Sequence, residues 1–133
     1  MKRLLTIVFF AFSLNINAQS INFKVMSFES AIEQAKSEKK LVFLDFYATW
    51  CGPCKLMDKK TFSSANVANL MNEMFVNVKV DVDDKQFAKL MNDFNVNEVP
   101  TYIIIDLNQK VLNRLTGYFP EKKFIEELNS LKK

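Results

Sequence analysis

Residues 41–55 read LVFLDFYATWCGPCK, and this stretch decides how the rest of the chain is organised. Up to Tyr47 it is apolar except for Asp45, which is typical of a β-strand that is buried on both faces of a sheet. The strand runs directly into Cys51 and Cys54, the only two cysteines of the protein. A buried strand that leads into a C-x-x-C pair at the start of a helix predicts a site of thiol–disulfide exchange.

The spacing of the two cysteines favours a chemical role over a structural one. A disulfide between residues three positions apart closes a very small loop, which removes little entropy from the unfolded chain. A structural pair or half of a metal site is the alternative. The chain has no histidine, and two thiolates complete a four-ligand zinc site only if a dimer supplies two more. Pro53 suits the first turn of a helix, so Cys51 should lie at its N-terminus, where free amides and the helix dipole favour a thiolate.

The N-terminus has the layout of a secretory signal peptide. Lys2 and Arg3 form a short positive region, residues 4–14 are an apolar run, and the small residue Ala18 follows at the position of a cleavage site. We therefore expect cleavage after Ala18, with residues 19–133 as the folded domain in the periplasm or otherwise outside the cytosol. The apolar run is shorter than the roughly 20 residues that span a bilayer. An uncleaved membrane anchor is the alternative.

Length and composition fit one ordinary globular domain. The 133 residues are 49% hydrophobic and 25% charged, which is the usual balance of a globular protein. The formal net charge is only +3, and the lysines are dispersed along the chain. The sequence therefore predicts no nucleic-acid partner.

The apolar patterns predict an α/β fold with the order β-α-β-α-α-β-α-β-β-α. Strands separated by helices imply parallel neighbours, and a final hairpin adds antiparallel strands at one edge. We therefore predict a central mixed β-sheet flanked by helices on both faces. The predicted strands are residues 41–48, 75–82, 101–105 and 111–115, with residues 20–26 as a short first strand or an extended arm. The predicted helices are residues 28–38, 53–60, 65–73, 85–94 and 120–131.

The sequence resembles the thioredoxin superfamily over nearly all of the predicted domain. W-C-G-P-C-K at residues 50–55 is the active-site motif of thioredoxin itself. Asp45 lies where thioredoxins carry a buried acid beneath the active site. Val99-Pro100-Thr101 resembles the cis-proline loop of the family, and Gly117 matches the glycine that flanks the substrate groove. The resemblance implies the thioredoxin fold.

The residues after the motif are similar to those of exported relatives. Cys54 is followed by K-L-M-D-K-K-T-F, and then by Val67 and Leu70. This pattern resembles the C-terminal thioredoxin-like domain of DsbD-type reductases. The resemblance therefore implies a periplasmic thioredoxin-like protein with a C-G-P-C motif.

The resemblance also implies a role for each residue near the cysteines. Cys51 would attack a substrate disulfide, and Cys54 would then attack Cys51 and release the reduced substrate. Asp45 lies in an apolar strand, which should raise its pKa and make it a proton acceptor for Cys54. An acid at a solvent-facing strand edge is the alternative. Lys79 resembles the lysine that pairs with this acid, and an ordinary exposed strand lysine is the alternative.

A substrate groove beside the cysteines follows from the same resemblance. Trp50 would contribute to a flat apolar rim, and the backbone of Val99 would offer strand-like hydrogen bonds to an extended substrate. Pro100 is the candidate cis peptide, and a trans loop proline is the alternative. The implied substrate-binding residues are Trp50, Gly52, Pro53, Val99, Pro100 and Gly117.

The resemblance implies a protein-disulfide reductase that uses no bound cofactor and no metal. A Gly-Pro pair between the cysteines goes with a low potential, about −270 mV in thioredoxin against about −120 mV in DsbA. The implied partners are disulfide-bearing exported proteins and a membrane thiol electron donor of the DsbD or CcdA type, and the family leans towards monomers. The alternatives are an oxidase or isomerase that uses the same pair, or a non-catalytic binding or chaperone module.

Overall fold

The computed structural model describes residues 19–132, so the predicted signal peptide lies outside the described part of the chain. This part of the chain forms five strands and five α-helices, with short π-helical and 3-10 turns between or after some of them. The strands are β1 (Phe23–Lys24), β2 (Leu41–Tyr47), β3 (Phe75–Asp81), β4 (Thr101–Ile105) and β5 (Val111–Thr116). The helices are α1 (Phe28–Glu38), α2 (Gly52–Leu56), α3 (Ala65–Met74), α4 (Ala88–Asp93) and α5 (Glu121–Asn129).

The strands form one mixed sheet in the order β1-β3-β2-β4-β5. β2 lies at its centre, parallel to β3 and antiparallel to β4, and β5 continues the sheet antiparallel to β4. This arrangement confirms the predicted α/β fold with a closing hairpin. No helix among residues 19–132 is long and apolar enough to cross a membrane.

Each face of the sheet is covered by helices and carries its own apolar core. Val42, Leu44 and Phe46 of β2 point to the face that α1 and α4 cover. Phe43 points to the opposite face, where it meets side chains of α3 and α5, including Phe124. The alternation of side chains along a strand separates the two sets. The expectation that β2 is buried on both faces is therefore confirmed.

Side-chain caps fix where two of the helices begin. The Ser27 hydroxyl accepts a hydrogen bond from the amide of Ser30 at 3.1 Å, and α1 starts at Phe28, as predicted. The Ser64 hydroxyl accepts from the amide of Val67 at 3.4 Å at the start of α3 and also bonds Glu121 Oε1 at 2.7 Å. This second contact ties α3 to the start of α5.

The first strand is much shorter than predicted. Only Phe23 and Lys24 pair with β3, whereas the sequence pattern predicted a short strand or an extended arm over residues 20–26. The Asn72 side chain instead forms hydrogen bonds with backbone groups that precede this strand. Its Oδ1 accepts from the Asn22 amide at 2.9 Å, and its Nδ2 donates to the Ser20 carbonyl at 2.9 Å. Those groups are therefore satisfied without a strand partner.

Two predicted helices each divide into two parts. The helix predicted over residues 53–60 is α2 followed by a π-helical turn, Met57–Thr61, in which the Thr61 hydroxyl reaches the Phe119 carbonyl at 2.6 Å. The helix predicted over residues 85–94 starts as a 3-10 turn, Lys85–Phe87, and becomes α4 only at Ala88. The Asp84 side chain caps that turn by accepting from the Gln86 amide at 3.0 Å.

Candidate active site

The two cysteines lie where β2 ends and α2 begins, and they form a disulfide with each other. Cys51 is the N-cap of α2, and its Sγ accepts a hydrogen bond from the amide of Cys54 at 3.2 Å. Both side chains are buried, with 3% of Cys51 and 4% of Cys54 exposed. Pro53 occupies the first turn of α2, where its missing N–H leaves no helical hydrogen bond unmade. The predicted position of Cys51 at a helix N-terminus is confirmed.

Asp45 lies in the central strand that leads to the cysteines, and it is almost completely buried. Only 2% of the residue is exposed. Burial raises the pKa of its carboxyl from 3.8 to about 6, while the nearby charge of Lys79 lowers it in part. The expectation of a raised pKa is confirmed, and the solvent-facing alternative for this acid is wrong. A carboxyl that titrates near pH 6 is able to accept and return a proton under neutral conditions.

Lys79 is the half-buried cation beside this carboxyl. It lies opposite Asp45 in the parallel pairing of β2 and β3, and its Nζ is 2.6 Å from Asp45 Oδ2. Burial alone would lower the pKa of Lys79, but Asp45 and Asp58 outweigh it and raise that pKa. The rings of Phe23 and Tyr47 also face the ammonium, at 4.7 and 4.8 Å from their centroids. Lys79 is therefore not an ordinary exposed strand lysine.

Asp58 is a second carboxylate of this network, and it was not among the site residues predicted from the sequence. Its Oδ1 is 2.9 Å from Lys79 Nζ. Its position four residues after Cys54 is a signal, because residues four apart share one face of a helix. Lys79 thus holds two carboxylates together, one buried in the sheet and one exposed on the π-helical turn.

The loop before β4 brings a proline next to the cysteines. The Val99–Pro100 peptide bond is cis, and Val99 packs against the small buried cluster that contains Cys51 and Cys54. The amide of Gly117, at the end of β5, donates to the Pro100 carbonyl at 2.9 Å. Gly117 has φ 88°, a backbone conformation that favours glycine. The loop and the end of the hairpin are therefore joined beside the disulfide.

Trp50 forms one wall of a shallow apolar groove beside the disulfide. It is the only tryptophan of the protein, and 67% of this large apolar residue is exposed. A cavity of about 170 Å³ lies next to it, and the lining residues are Trp50, Val82, Met91, Val96, Asn97, Glu98 and Val99. Gly52 and Pro53 are exposed on the same surface, just after Trp50. An exposed indole beside a concave apolar surface is suited to contact with a protein chain.

The orientation of Trp50 is fixed by Asp83, which was not among the site residues predicted from the sequence. The indole Nε1 donates to Asp83 Oδ2 at 2.9 Å. Asp83 follows β3, and Trp50 follows β2. Because the carboxyl ends of parallel neighbours meet at one edge of a sheet, this contact follows from the pairing of β2 with β3, which the order of strands and helices alone does not specify.

The structure thus brings the candidate site residues together at one edge of the sheet. Asp45 pairs with Lys79 in the two strands that end at this edge. Trp50 directly precedes Cys51, Val99 packs against the cysteine cluster, and Gly117 bonds the carbonyl of Pro100, the residue after Val99. Residues 19–132 contain no group of three or more His, Cys, Asp or Glu side chains placed to hold an ion. The chemistry available here is that of two sulfurs, a buried carboxyl and its lysine.

Fold and site together define a thioredoxin-fold protein with a disulfide at the start of a helix. Residues 28–132 match the profile of the thioredoxin-like domain family, and the chain belongs to this family. Its resemblance to DsbD is also confirmed by sequence. It is 38% identical over 99 residues to a thiol:disulfide interchange protein DsbD from Actinobacillus pleuropneumoniae, an alignment that covers 71% of this chain. The chain spans only 17% of the length of that relative.

Two solved structures have the same fold. A protein from Bacteroides thetaiotaomicron, described as a candidate disulphide isomerase, is 36% identical with a TM-score of 0.72, over 86% of this chain and 93% of that one. The C-terminal domain of DsbD from Neisseria meningitidis, in its oxidised form, is 25% identical with a TM-score of 0.66. That match covers 77% of this chain and 90% of the domain. The predicted similarity to this DsbD domain is therefore confirmed in three dimensions.

Proposed function

We propose that this protein is a thiol–disulfide oxidoreductase that reduces disulfides of exported proteins through Cys51 and Cys54. The observation that carries the proposal is the disulfide at the N-terminus of α2, which follows the strand that holds the buried carboxyl of Asp45. The family and the DsbD relative support the same chemistry. The protein acts as an enzyme without a bound cofactor.

The reaction begins with the dithiol form. The Cys51 thiolate attacks one sulfur of the substrate disulfide, a mixed disulfide forms, and one substrate sulfur leaves as a thiolate. Cys54 then loses its proton and attacks Cys51. The second substrate sulfur leaves, and the protein is left with the Cys51–Cys54 disulfide that the structure contains. Two electrons have passed from the protein to the substrate.

Asp45 is the proton acceptor for the second step. Cys54 is buried, so its proton needs a nearby acceptor rather than bulk water. A carboxyl with a pKa of about 6 is ionised at pH 7 and is basic enough to take part. Lys79 keeps the resulting charges balanced, since it contacts Asp45 at 2.6 Å.

The substrate binds in the groove beside the disulfide. The apolar wall at Trp50 packs against residues next to the substrate cysteine, and the exposed Gly52 and Pro53 allow close approach. The backbone of Val99, before the cis bond to Pro100, pairs with the extended substrate chain. Gly117, bonded to the Pro100 carbonyl, leaves the opposite side of the groove open.

The protein works outside the cytosol. The first residues support this location because they have the layout of a signal peptide that is cleaved after Ala18, which leaves residues 19–133 as a monomeric domain in the periplasm or another exported compartment. An oxidising compartment consumes the dithiol form. A membrane thiol donor of the DsbD or CcdA type therefore returns the electrons. The substrates are exported proteins that carry disulfides.

An isomerase that uses the same cysteine pair is the second candidate. The Bacteroides relative described as a candidate disulphide isomerase favours it. The two functions differ in reduction potential, since thioredoxin lies at about −270 mV and protein disulfide isomerase at about −180 mV. Equilibration of the purified protein with glutathione buffers measures this potential. A value at or above about −180 mV would contradict the reductase proposal.

Trapping tests the proposed order of attack. Cys54→Ser removes the resolving thiol, so mixed disulfides on Cys51 should accumulate when the variant is expressed with its own leader. Mass spectrometry of the adducts identifies the substrates. The matched control is the double variant Cys51→Ser/Cys54→Ser, which should capture nothing. Adducts that persist in the double variant, or a complete lack of adducts on Cys54→Ser, would refute the mechanism.

A further inference from the structure

The cavity beside Trp50 is small and has apolar walls. Its volume is about 170 Å³, below the roughly 300–1,000 Å³ of pockets that enclose small molecules. The apolar side chains that line it with the indole are those of Val82, Met91, Val96 and Val99. The cavity is therefore suited to a single side chain of a docked protein.

Among the described residues that line this cavity, only Glu98 carries a charge. It is exposed, and it directly precedes Val99 and the cis bond to Pro100. Its carbonyl accepts a hydrogen bond from the Thr101 hydroxyl at 2.7 Å, which holds its backbone beside the cis bond. No cation within residues 19–132 forms an ion pair with its carboxylate. A substrate chain that pairs with the Val99 backbone therefore passes next to an uncompensated negative charge.

The end of β3 adds further negative charge to this edge of the sheet. Three acids lie there, at Asp81, Asp83 and Asp84. Amide groups and the Trp50 indole donate the side-chain hydrogen bonds that these acids accept, so neutral donors satisfy them. Lys85 follows in the sequence, but no salt bridge of the described chain joins it to these acids. The surroundings of the cavity are therefore acidic and attract cations.

The indole of Trp50 also favours a cation. It is exposed, and the bond from its Nε1 to Asp83 fixes its orientation. The negative face of an aromatic ring attracts an ammonium or a guanidinium group. Lysine and arginine also pack their aliphatic stems on apolar surface while the charged head stays in water. A basic side chain therefore matches the apolar walls, the indole and the carboxylate of Glu98 at once.

We propose that Glu98 selects substrates that carry a lysine or arginine next to the cysteine that Cys51 attacks. This inference rests on the proposed function, because that function supplies the attack, and it adds the class of substrate. The basic side chain lies along the cavity, with its stem on Trp50 and Val99 and its charged head at Glu98. Glu98 takes no part in the bond changes. The Cys51 thiolate forms a bond to one substrate sulfur, and the other substrate sulfur leaves as a thiolate.

The rate of this first attack measures the selection. The reduced Cys54→Ser variant serves as the starting protein, because it stops at the mixed disulfide and its attack does not depend on the direction of the complete reaction. The substrates are two symmetrical peptide disulfides, identical except for lysine or glutamate next to the cysteine. In each of them, attack on either sulfur gives the same product. Chromatography of the released peptide thiol at low ionic strength gives a second-order rate constant for each peptide.

The ratio of the lysine-peptide rate constant to the glutamate-peptide rate constant is the readout. Adding Glu98→Gln should lower this ratio by about three- to fivefold, as expected for loss of an exposed ion pair. The comparison of ratios cancels the intrinsic reactivity of the peptides and any general change at Cys51. Glu98→Lys should lower the ratio further. Added salt should also lower it when Glu98 is present, because salt screens exposed charges.

Glu73→Gln is the matched control, since it removes the same charge from an exposed acid just before β3 begins, at the opposite end of the sheet. It should leave the ratio unchanged. An unchanged ratio in Glu98→Gln, or an equal fall in Glu73→Gln, would overturn the inference. Either result leaves the proposed function intact, because attack by Cys51 is still observed. If neither peptide forms a mixed disulfide with Cys51, the proposed function fails, and the inference fails with it.

Discussion

A single residue, Asp45, couples the stability of the fold to its reactivity. Its carboxyl has a pKa of 3.8 in an ordinary setting and about 6 in the folded protein. The folded state therefore binds this proton more tightly than the unfolded state does. The contribution of this proton to the free energy of unfolding is fully present below pH 3.8. It is lost as the pH rises to about 6 and does not return above that pH. At neutral pH the fold retains a buried charge that lowers its stability.

The substitution Asp45→Asn should therefore stabilise the oxidised protein at pH 7. We expect the free energy of unfolding to rise by about 1–3 kcal/mol, because the variant avoids burial of a charge. Lys79 keeps a partner in the variant, since Asp58 remains 2.9 Å away. Urea unfolding at pH 4 and pH 7 measures the change, which should be much smaller at pH 4. Asp93→Asn, at an exposed acid, is the control, and a destabilised Asp45→Asn at pH 7 would mean that the ion pair outweighs the burial.

The residues of the site differ in how far the sequence could predict them. Asp45 was predictable because a strand that is apolar on both faces is buried, and an acid within it is buried with it. Asp58 was harder to predict, because its spacing of four residues from Cys54 is a weak signal and an acid followed by lysines on a short helix also has the pattern of an ordinary exposed face. Its role depends on the distance to Lys79, which only the packing of the π-helical turn against β3 determines. The bond from Trp50 to Asp83 likewise depends on the pairing of β2 with β3.

At the scale of elements, the sequence predicted the interior better than the edges. β2 and β4 are fully covered, so their apolar runs mark them clearly, and the predicted bounds of β4 agree with the structure. β1 is an edge strand, and the Asn72 side chain limits it through hydrogen bonds that no local pattern reveals. The π-helical turn after α2 was not predicted, because its apolar spacing is close to that of an α-helix.

The backbone conformation at the end of β5 requires a glycine, and this requirement can be tested. Gly117 has φ 88° and donates to the Pro100 carbonyl at 2.9 Å. Gly117→Ala should lower the free energy of unfolding by about 1–2 kcal/mol, because an L-residue is strained in this conformation. Gly52→Ala is the matched control. A Cβ there meets no atom within 4 Å, and alanine favours the helix. Urea unfolding compares the two, and equal losses would contradict a conformational requirement at Gly117.

At the scale of the whole molecule, the strand order builds the site. β2 and β3 are parallel, so their carboxyl ends meet at one edge and bring Trp50 to Asp83. β4 runs antiparallel to β2, so its first residues, just after Pro100, arrive at that same edge. The alternation of strands and helices predicts a mixed sheet, but not which strands are neighbours. That part of the prediction came from the resemblance to thioredoxin.

Oxidation of the cysteine pair should change the stability of the entire fold. A protein that reduces others must have a folded state that favours its own disulfide, whereas the strong oxidant DsbA has a stabilised reduced form. The small loop between Cys51 and Cys54 affects the unfolded chain little. A difference between the two forms therefore reflects how the folded protein accommodates the two sulfurs.

We therefore expect the oxidised protein to unfold at a higher urea concentration than the reduced protein. Each 1.4 kcal/mol of difference corresponds to about 30 mV between the folded and unfolded potentials. This comparison is independent of the glutathione titration and should agree with it. The double variant Cys51→Ser/Cys54→Ser is the control, because its unfolding should not respond to reductant. A reduced form that is more stable than the oxidised form would contradict the reductase direction, since such a protein would donate its disulfide to substrates instead.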